Sequence, residues 1–178
     1  MSQPKISWKT IRSTVVYQSP WITLYDDEVT QPNGEPGKYS YVKGPPFVLT
    51  VAFDGERFIL VEQYRYPLKQ ITVEVPGGGI DEGETPLNAA QREFEEETGF
   101  TAKKWTKIGS LLNPNEATIF LAEELETGQD KMNEDGIVQL LQPTRKELNE
   151  MIDRGEIMDS KTLACLFLFD RYLSRKVG

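Results

Sequence analysis

The stretch Gly78–Phe100, GGIDEGETPLNAAQREFEEETGF, decides the fold of this chain and carries its chemistry. Thr85 followed by Pro86 predicts a helix start, because a hydroxyl caps the first turn and proline lacks an N–H that this turn leaves unused. Gly99 predicts the helix end, since glycine adopts the left-handed conformation at low cost. The residues predicted to face the core recur at helical spacing: Leu87, Ala90 and Phe94.

The other face of this predicted helix is acidic. Glu93, Glu96 and Glu97 stand at positions i, i+3 and i+4, so they lie within one turn of each other. Like charges at this spacing repel by about 0.2–0.5 kcal/mol per pair. A hard divalent cation offsets such repulsion, and oxygen ligands without histidine or thiolate favour Mg²⁺ or Mn²⁺ over zinc. The chain contains no histidine at all.

An acidic run alone is more often a solvated helix face than a metal site. Here the run belongs to a longer pattern, G-x5-E-x7-R-E-U-x-E-E-x-G-U, in which U is a bulky apolar residue. Every fixed position is filled, by Gly78, Glu84, Arg92, Glu93, Phe94, Glu96, Glu97, Gly99 and Phe100. A chance match to so many spaced positions is on the order of 10⁻¹⁰. The full pattern therefore favours the metal site.

This pattern resembles the Nudix box, whose family cleaves a nucleoside diphosphate linked to another group, usually with Mg²⁺. The acidic face and the resemblance together make Glu93 and Glu97 the expected direct metal ligands. Glu96 is expected to ligate as well or to orient a metal-bound water. The resemblance adds the backbone carbonyl of Gly77 as a ligand. It also implies that Arg92 orients the carboxylates, for example through Glu84.

The chemistry expected of this site is hydrolysis of a phosphoanhydride. Metal ions would neutralise the diphosphate and lower the pKa of an attacking water, and a carboxylate would accept its proton. Without histidine, the base is a carboxylate or the metal hydroxide itself. Family members carry an acidic residue on a loop before the last strand, and Glu134 is the favoured match, with Asp135 and Glu96 left open. Met132 stands where some ADP-ribose enzymes carry a second glutamate.

Features outside the box resemble the ADP-ribose pyrophosphatase and nucleoside diphosphate sugar branch. The segments that carry the resemblance are Glu62–Pro67 (EQYRYP) and Glu74–Gly78 (EVPGG). The resemblance implies that Arg65 contacts substrate phosphates, whereas the simpler alternative is an ion pair with a carboxylate at the sheet edge.

Further substrate-binding candidates follow from this branch: Glu74, Gly78, Pro114 and Glu116. Pro114 fits a proline that marks the branch about fifteen residues beyond the box. The stretch that follows, through Ala117, is shorter than usual for the family, and this difference is expected to alter which sugar is accepted.

Composition sets broad limits on function. A chain of 178 residues with 38% hydrophobic content buries one substantial core. Its net charge of −8 argues against a general nucleic-acid or membrane-surface binder. We find neither a signal peptide nor a membrane-spanning run. The single cysteine, Cys165, lies in an apolar stretch and is predicted to be buried, which suits a cytoplasmic protein.

The predicted fold class is α/β: a Nudix α/β/α sandwich with a mixed sheet, over residues 45–178. Residues 1–44 are predicted to form a β-rich extension, which by resemblance helps build a homodimer. The predicted strands are Trp21–Tyr25, Tyr39–Val42, Phe47–Phe53, Phe58–Glu62, Ile71–Val75, Trp105–Leu111, Thr118–Ala122 and Val138–Leu141. Helices are predicted at Thr144–Arg154 and Lys161–Leu173, turns at Pro32–Gly34 and Asp54–Gly55, and a flexible loop at Gly128–Asp135.

Three functions remain open at this point. The first is hydrolysis of a small nucleoside diphosphate sugar such as ADP-ribose, giving a nucleoside monophosphate and a sugar phosphate. A preference for GDP-mannose or another nucleoside diphosphate hexose is the second, and the shortened loop after Pro114 favours it. The third is a non-catalytic Nudix-like nucleotide sensor, although such modules typically lose box carboxylates that are all present here.

Overall fold

The computed structural model describes residues 7–112, 114–128 and 136–176. They form two compact units. The first comprises the chain up to Pro45 together with Pro114 and Asn115. The second comprises Pro46–Leu112 and the chain from Glu116 onward.

The first unit is an antiparallel sheet of β1 (Lys9–Arg12), β2 (Val15–Gln18), β3 (Thr23–Thr30) and β4 (Pro36–Lys43). β4 pairs with β3 along its whole length, while β1 and β2 pair with successive halves of the other edge. The predicted turn between β3 and β4 is confirmed, and Gly34 has a positive φ of 89° there. The strand predicted from Trp21 begins at Thr23 instead, because Ser19 closes a turn by accepting the N–H groups of Trp21 and Ile22.

The second unit is built on a mixed sheet. Its strands are β5 (Phe47–Phe53), β6 (Phe58–Arg65), β7 (Gln70–Glu74), β8 (Phe100–Leu111), β9 (Ala117–Thr127) and β10 (Ile137–Leu141). Their order is β10-β6-β5-β9-β8, with β7 also paired to β6. β5 and β9 are parallel and the other pairs are antiparallel. The predicted mixed sheet and the hairpin at Asp54–Gly55 are confirmed.

Helices cover both faces of this sheet, which confirms the predicted three-layer sandwich. On one face lies α1 (Pro86–Thr98), where Phe94 packs with Ala52, Ile59 and Ala122. On the other face lie α2 (Arg145–Asp153) and α3 (Ser160–Lys176). The residues of β5 alternate between the two layers, and because both faces of the strand are buried, its sequence is apolar except for Thr50.

The main core lies between the sheet and α2 and α3. Leu148, Cys165 and Phe169 are fully buried there. Burial raises the pKa of the Cys165 thiol to about 12, so this cysteine is an inert core residue. In the part of the chain that the structure describes, no helix is long and apolar enough to cross a membrane.

Two further predictions about element details were wrong. Leu87 does not face the core, since it is 38% exposed. Ala90 and Phe94 are buried as predicted, and Ala89 is buried as well, so small residues bring the helix close to the sheet. Strand β8 begins at Phe100, directly after the helix, rather than at Trp105, because its polar first half pairs with the end of β9.

Candidate active site

The acidic helix α1 begins and ends where the sequence predicts. Thr85 Oγ1 accepts the N–H of Asn88 at 3.2 Å, and Pro86 occupies the first turn. At the other end Gly99 is left-handed with φ 69°, and its N–H donates to the Glu95 carbonyl at 2.8 Å. These two caps fix the register of the helix, and therefore which glutamates face the glycine turn.

Glu93 and Glu97 lie against that turn. They are 6% and 3% exposed. The N–H of Gly77 donates to Glu97 Oε2 at 2.7 Å. A Cβ on Gly78 would lie 2.3 Å from the carboxyl carbon of Glu93, so any side chain at this position would displace the carboxylate. Turn and helix thus hold both carboxylates in nearly fixed positions.

Gly77 is constrained from the opposite side of the turn. A Cβ there would lie 2.2 Å from the Val48 carbonyl oxygen on β5. The next residue is tied to the same strand, because the Val48 N–H donates to the Gly78 carbonyl at 2.9 Å. The glycines are therefore needed for close approach of strand, turn and helix.

Arg92 joins the remaining carboxylates of the box. Its Nε and Nη2 donate to the two oxygens of Glu84 at 3.1 and 3.0 Å. Its Nη1 donates to Glu93 Oε1 at 2.8 Å and to Glu96 Oε2 at 3.1 Å. The Gly79 carbonyl accepts from Nη2 at 3.0 Å. One planar guanidinium with several donors therefore serves three acids and a backbone oxygen.

These contacts favour the charged form of both Arg92 and Glu84. Hydrogen bonds to Glu84, followed by those to Glu93 and Glu96, raise the pKa of Arg92. The Arg92 guanidinium in turn lowers the pKa of Glu84. Both groups are therefore charged at neutral pH, and the pair is a permanent ionic support for the helix face.

The donor set suits a hard divalent cation. Glu93 and Glu97 are buried carboxylates beside the backbone of Gly77, and oxygen ligands of this kind are those that Mg²⁺ prefers. Within the described ranges, no group of three or more histidine, cysteine, aspartate or glutamate side chains is gathered closely enough to hold a metal.

Arg65 forms a two-point ion pair with Glu74. Its Nε donates to Glu74 Oε1 at 2.8 Å and its Nη2 to Oε2 at 2.7 Å. Thr72 donates a third hydrogen bond to the same carboxylate at 2.7 Å. The ion-pair alternative for Arg65 is thus present in the structure. The Arg65 side chain remains about one-third exposed, and phosphate contact stays a prediction.

The other candidate residues are more scattered. Pro114 is exposed in the first unit, where the neighbouring Asn115 accepts the N–H of Gly44 at 2.7 Å. Glu116 is exposed in the second unit with a positive φ of 47°, and its carbonyl accepts the N–H of Phe47. Glu134 and Asp135 lie outside the described residues, as does most of the predicted loop, and the choice of base among them and Glu96 stays open.

Two families match this chain. Residues 45–159 match the NUDIX domain, which contains the whole site described above. Residues 8–42 match the nucleoside diphosphate sugar hydrolase N-terminal domain. This chain belongs to the Nudix family. The resemblance read from the box and from the N-terminal extension is therefore confirmed.

Relatives of this Nudix chain extend over nearly its whole length. An ADP-ribose pyrophosphatase of Bacillus subtilis (strain 168) is 38% identical over 162 residues, covering 86% of this chain and 88% of the relative. A methanol dehydrogenase activator of Bacillus methanolicus is 34% identical over 164 residues, covering 87% and 88%. A solved ADP compounds hydrolase superposes with a TM-score of 0.83, covering 98% of both chains at 20% identity, and supports the fold alone.

Some contacts that position the Nudix site have no signal in the sequence. Thr162 Oγ1, on α3, accepts the N–H of Val75 at 3.1 Å and so holds the strand end just before the glycine turn. The Gly79 carbonyl that accepts from Arg92 is a second example. In each case the partners come together only through the tertiary fold, so neither spacing nor residue type could have identified them.

Proposed function

We propose that this Nudix hydrolase cleaves the diphosphate of ADP-ribose and related small nucleoside diphosphate sugars, with Mg²⁺ as its metal and Mn²⁺ as a substitute. The products would be a nucleoside monophosphate and a sugar phosphate. The observation that carries this proposal is the similarity to the Bacillus subtilis ADP-ribose pyrophosphatase, which spans 86% of the chain. The complete set of box carboxylates supports catalysis rather than sensing alone.

Glu93, Glu97 and the Gly77 carbonyl would hold the metal, and Glu96 would complete the set or orient a metal-bound water. When bound, the metal neutralises the diphosphate and lowers the pKa of an attacking water. The buried positions of Glu93 and Glu97 support this assignment, because they hold two carboxylates against the backbone of the glycine turn.

Arg92 acts as a positioning residue in this proposal. Its fork on Glu84 fixes the guanidinium, and Nη1 then fixes Glu93 and Glu96 relative to each other. Prealigned carboxylates lose less conformational freedom when the substrate complex forms. Glu84 therefore contributes through Arg92 rather than by contact with the substrate.

The proton acceptor is a carboxylate in this proposal. Glu96 is the most accessible of the box acids around Arg92, with a side chain 43% exposed, so water can reach it. Glu134 and Asp135 are the alternatives from the loop before β10. Arg65 would contact a substrate phosphate with the exposed part of its guanidinium, while Glu74 holds the other part.

The proposal includes a homodimer formed through the N-terminal sheet in a reducing cytoplasm. Large apolar side chains on the first unit are exposed and support an interface: Trp8, Ile11, Val15, Val16, Tyr17 and Trp21. A single buried cysteine suits a compartment without disulfides. Deleting the residues before Pro45 would test the interface. A truncated protein with the same number of subunits as the full-length protein and with full activity would contradict it.

A substrate panel tests the activity. ADP-ribose, GDP-mannose, UDP-glucose, NADH, diadenosine polyphosphates and dNTPs are each incubated with Mg²⁺ and with EDTA, and the released products are identified. We expect metal-dependent cleavage of ADP-ribose to rank first. Preference for GDP-mannose would favour the hexose branch, and nucleotide binding without cleavage of any compound would favour a sensor.

A second candidate function is stimulation of a methanol dehydrogenase. The similarity to the Bacillus methanolicus activator, over 87% of this chain, favours it. The test adds purified chain, or its Glu97→Gln variant, to such a dehydrogenase and measures alcohol oxidation. Stimulation by the wild type alone would tie this effect to hydrolysis, and equal stimulation by both would assign it to binding.

A further inference from the structure

The central strand of the first unit carries three consecutive acids, which its pleat divides between two faces. Asp26 and Glu28 lie on one face and Asp27 on the other, because side chains alternate along a strand. Both acids of the first face have basic partners. Lys38 Nζ lies 2.9 Å from Asp26 Oδ2, and Arg12 Nη2 lies 2.5 Å from Glu28 Oε1. Two of the three charges are therefore neutralised locally.

Asp27 differs from its two neighbours. It is only 6% exposed, and in the ranges that the structure describes it forms no ion pair. Its Oδ1 accepts a hydrogen bond from Ser13 Oγ at 2.6 Å. Burial, together with the nearby Asp27 charge, raises the pKa of Tyr41, so this hydroxyl stays neutral. A hydroxyl solvates a carboxylate but does not neutralise it, and a buried charge without a counter-charge is strongly unfavourable.

Aromatic rings surround this carboxylate. Trp8 and Tyr39 meet edge to face with ring centroids 5.5 Å apart, and Tyr39 and Tyr41 are inclined at 59° with centroids 6.4 Å apart. Tyr41 is in turn stacked on Tyr25 at 5.0 Å. A cleft of about 340 Å³, called here the aromatic cleft, is lined by six residues: Trp8, Thr10, Asp27, Val29, Tyr39 and Tyr41.

We propose that the aromatic cleft binds a compact organic cation, a primary ammonium or guanidinium group on a short alkyl chain. The electron-rich faces of aromatic rings attract such cations, and Asp27 supplies the counter-charge. A metal ion fits poorly, because Mg²⁺ and Ca²⁺ require several oxygen ligands, and the described residues that line the cleft include one carboxylate. A neutral aromatic ligand would leave the charge of Asp27 uncompensated.

Two sources can supply this chemistry: a free amine or guanidine, and a lysine or arginine side chain of a second copy of this chain. The test titrates the full-length protein calorimetrically with n-butylammonium chloride and with n-butanol, its neutral counterpart, at low salt. Asp27→Asn removes the charge and keeps the shape. Asp26→Asn is the matched control, because it removes the neighbouring acid that already has Lys38 as partner.

We expect the wild type and Asp26→Asn to bind n-butylammonium at least tenfold more tightly than n-butanol, and Asp27→Asn to lose this preference. Tyr39→Leu should weaken binding several-fold while circular dichroism stays native. Sedimentation identifies the source. If n-butylammonium or the Asp27→Asn substitution shifts the protein toward monomer, a second copy supplies the cation. If the mass in solution stays unchanged and the wild type still binds n-butylammonium, the ligand is a free amine.

Two outcomes would overturn the proposal. The first is equal binding of n-butylammonium by the wild type and Asp27→Asn. The second is no ammonium binding by the wild type together with a mass in solution that Asp27→Asn leaves unchanged.

Discussion

The acidic runs on helix α1 and on strand β3 have similar sequences and opposite consequences. The helical period brings Glu93, Glu96 and Glu97 to one side of α1, where they have to share compensation. The strand period separates Asp27 from its two neighbours, each of which finds its own basic partner. Secondary structure therefore decides whether neighbouring acids form a shared site or separate ion pairs.

On α1, a small number of donor groups compensates the negative charges of the glutamates. Arg92 serves Glu84, Glu93 and Glu96, and the Gly77 N–H serves Glu97. Substitutions in this group should therefore affect chemistry more than folding. Substitutions of the strand acids should affect stability or binding and leave hydrolysis unchanged. The following predictions test this difference, beginning with the largest expected effect.

Replacing Glu97 by Gln should lower kcat for ADP-ribose by about 10³-fold or more, because a proposed metal ligand loses its charge. The amide keeps an oxygen that can accept the Gly77 N–H, so thermal unfolding should change little. Glu95→Gln on the same helix is the control and should keep normal turnover. Near-normal turnover of Glu97→Gln would remove Glu97 from the metal ligands.

Replacing Gly78 by Ala should lower kcat by about 100-fold, since displacing a catalytic group by about 1 Å has effects of this size. The new Cβ would lie 2.3 Å from the Glu93 carboxyl carbon and would have to push it aside. Gly79→Ala is the neighbouring control, because no heavy atom lies within 4 Å of its new Cβ. Equal rates for the two variants would contradict a fixed position for Glu93.

Replacing Arg65 by Ala should raise KM for ADP-ribose by about tenfold, as expected when an interaction common to ground and transition state is lost. It should also lower stability by about 1–2 kcal/mol, discounted for the exposure of the guanidinium, because Glu74 loses its main partner. Chemical denaturation and steady-state kinetics measure both effects. An unchanged KM would restrict Arg65 to its ion pair.

The Arg65–Glu74 pair predicts an acid-dependent loss of stability. Burial acts to raise the pKa of Glu74, but hydrogen bonds from Arg65 and Thr72 outweigh it and the pKa is lowered below 4.5. The resulting stabilisation is complete above that ordinary value and is lost as pH falls through the lower pKa of the folded state. Glu74→Gln should flatten the dependence of unfolding free energy on pH below about 4.5. A slope equal to that of the wild type would contradict this linkage.

The smallest expected effects concern the strand acids. Asp27→Asn should raise Tm by about 2–4 °C in a buffer without organic cations, since it removes an uncompensated buried charge. Asp26→Asn should lower Tm slightly, because an exposed ion pair contributes little. Calorimetric scans of both variants provide the comparison. A lower Tm for Asp27→Asn than for Asp26→Asn would contradict our interpretation that the Asp27 charge destabilises the fold.

Much of the fold could be predicted because its signals are local. The caps at Thr85 and Gly99 fixed the helix, and glycine turns marked the hairpins correctly. Errors arose where packing overrode a local pattern. Leu87 fits the apolar spacing, yet it is exposed, and Ala89 is buried beside the correctly predicted Ala90 and Phe94. The start of β8 was missed, because pairing with β9 rather than apolar periodicity makes residues 100–104 a strand.

The sequence by itself determined the family, the acidic helix face and the glycine turn, because spacing along one helix and close backbone approach depend on neighbouring residues. Only the tertiary structure decided the partners. It brought Gly77 to Glu97 and Glu74 to Arg65, and among the described residues it placed Asp27 beside aromatic rings with no ion-pair partner. These contacts join residues from different strands, turns and helices, and no periodicity in one segment specifies which side chains of another will meet it.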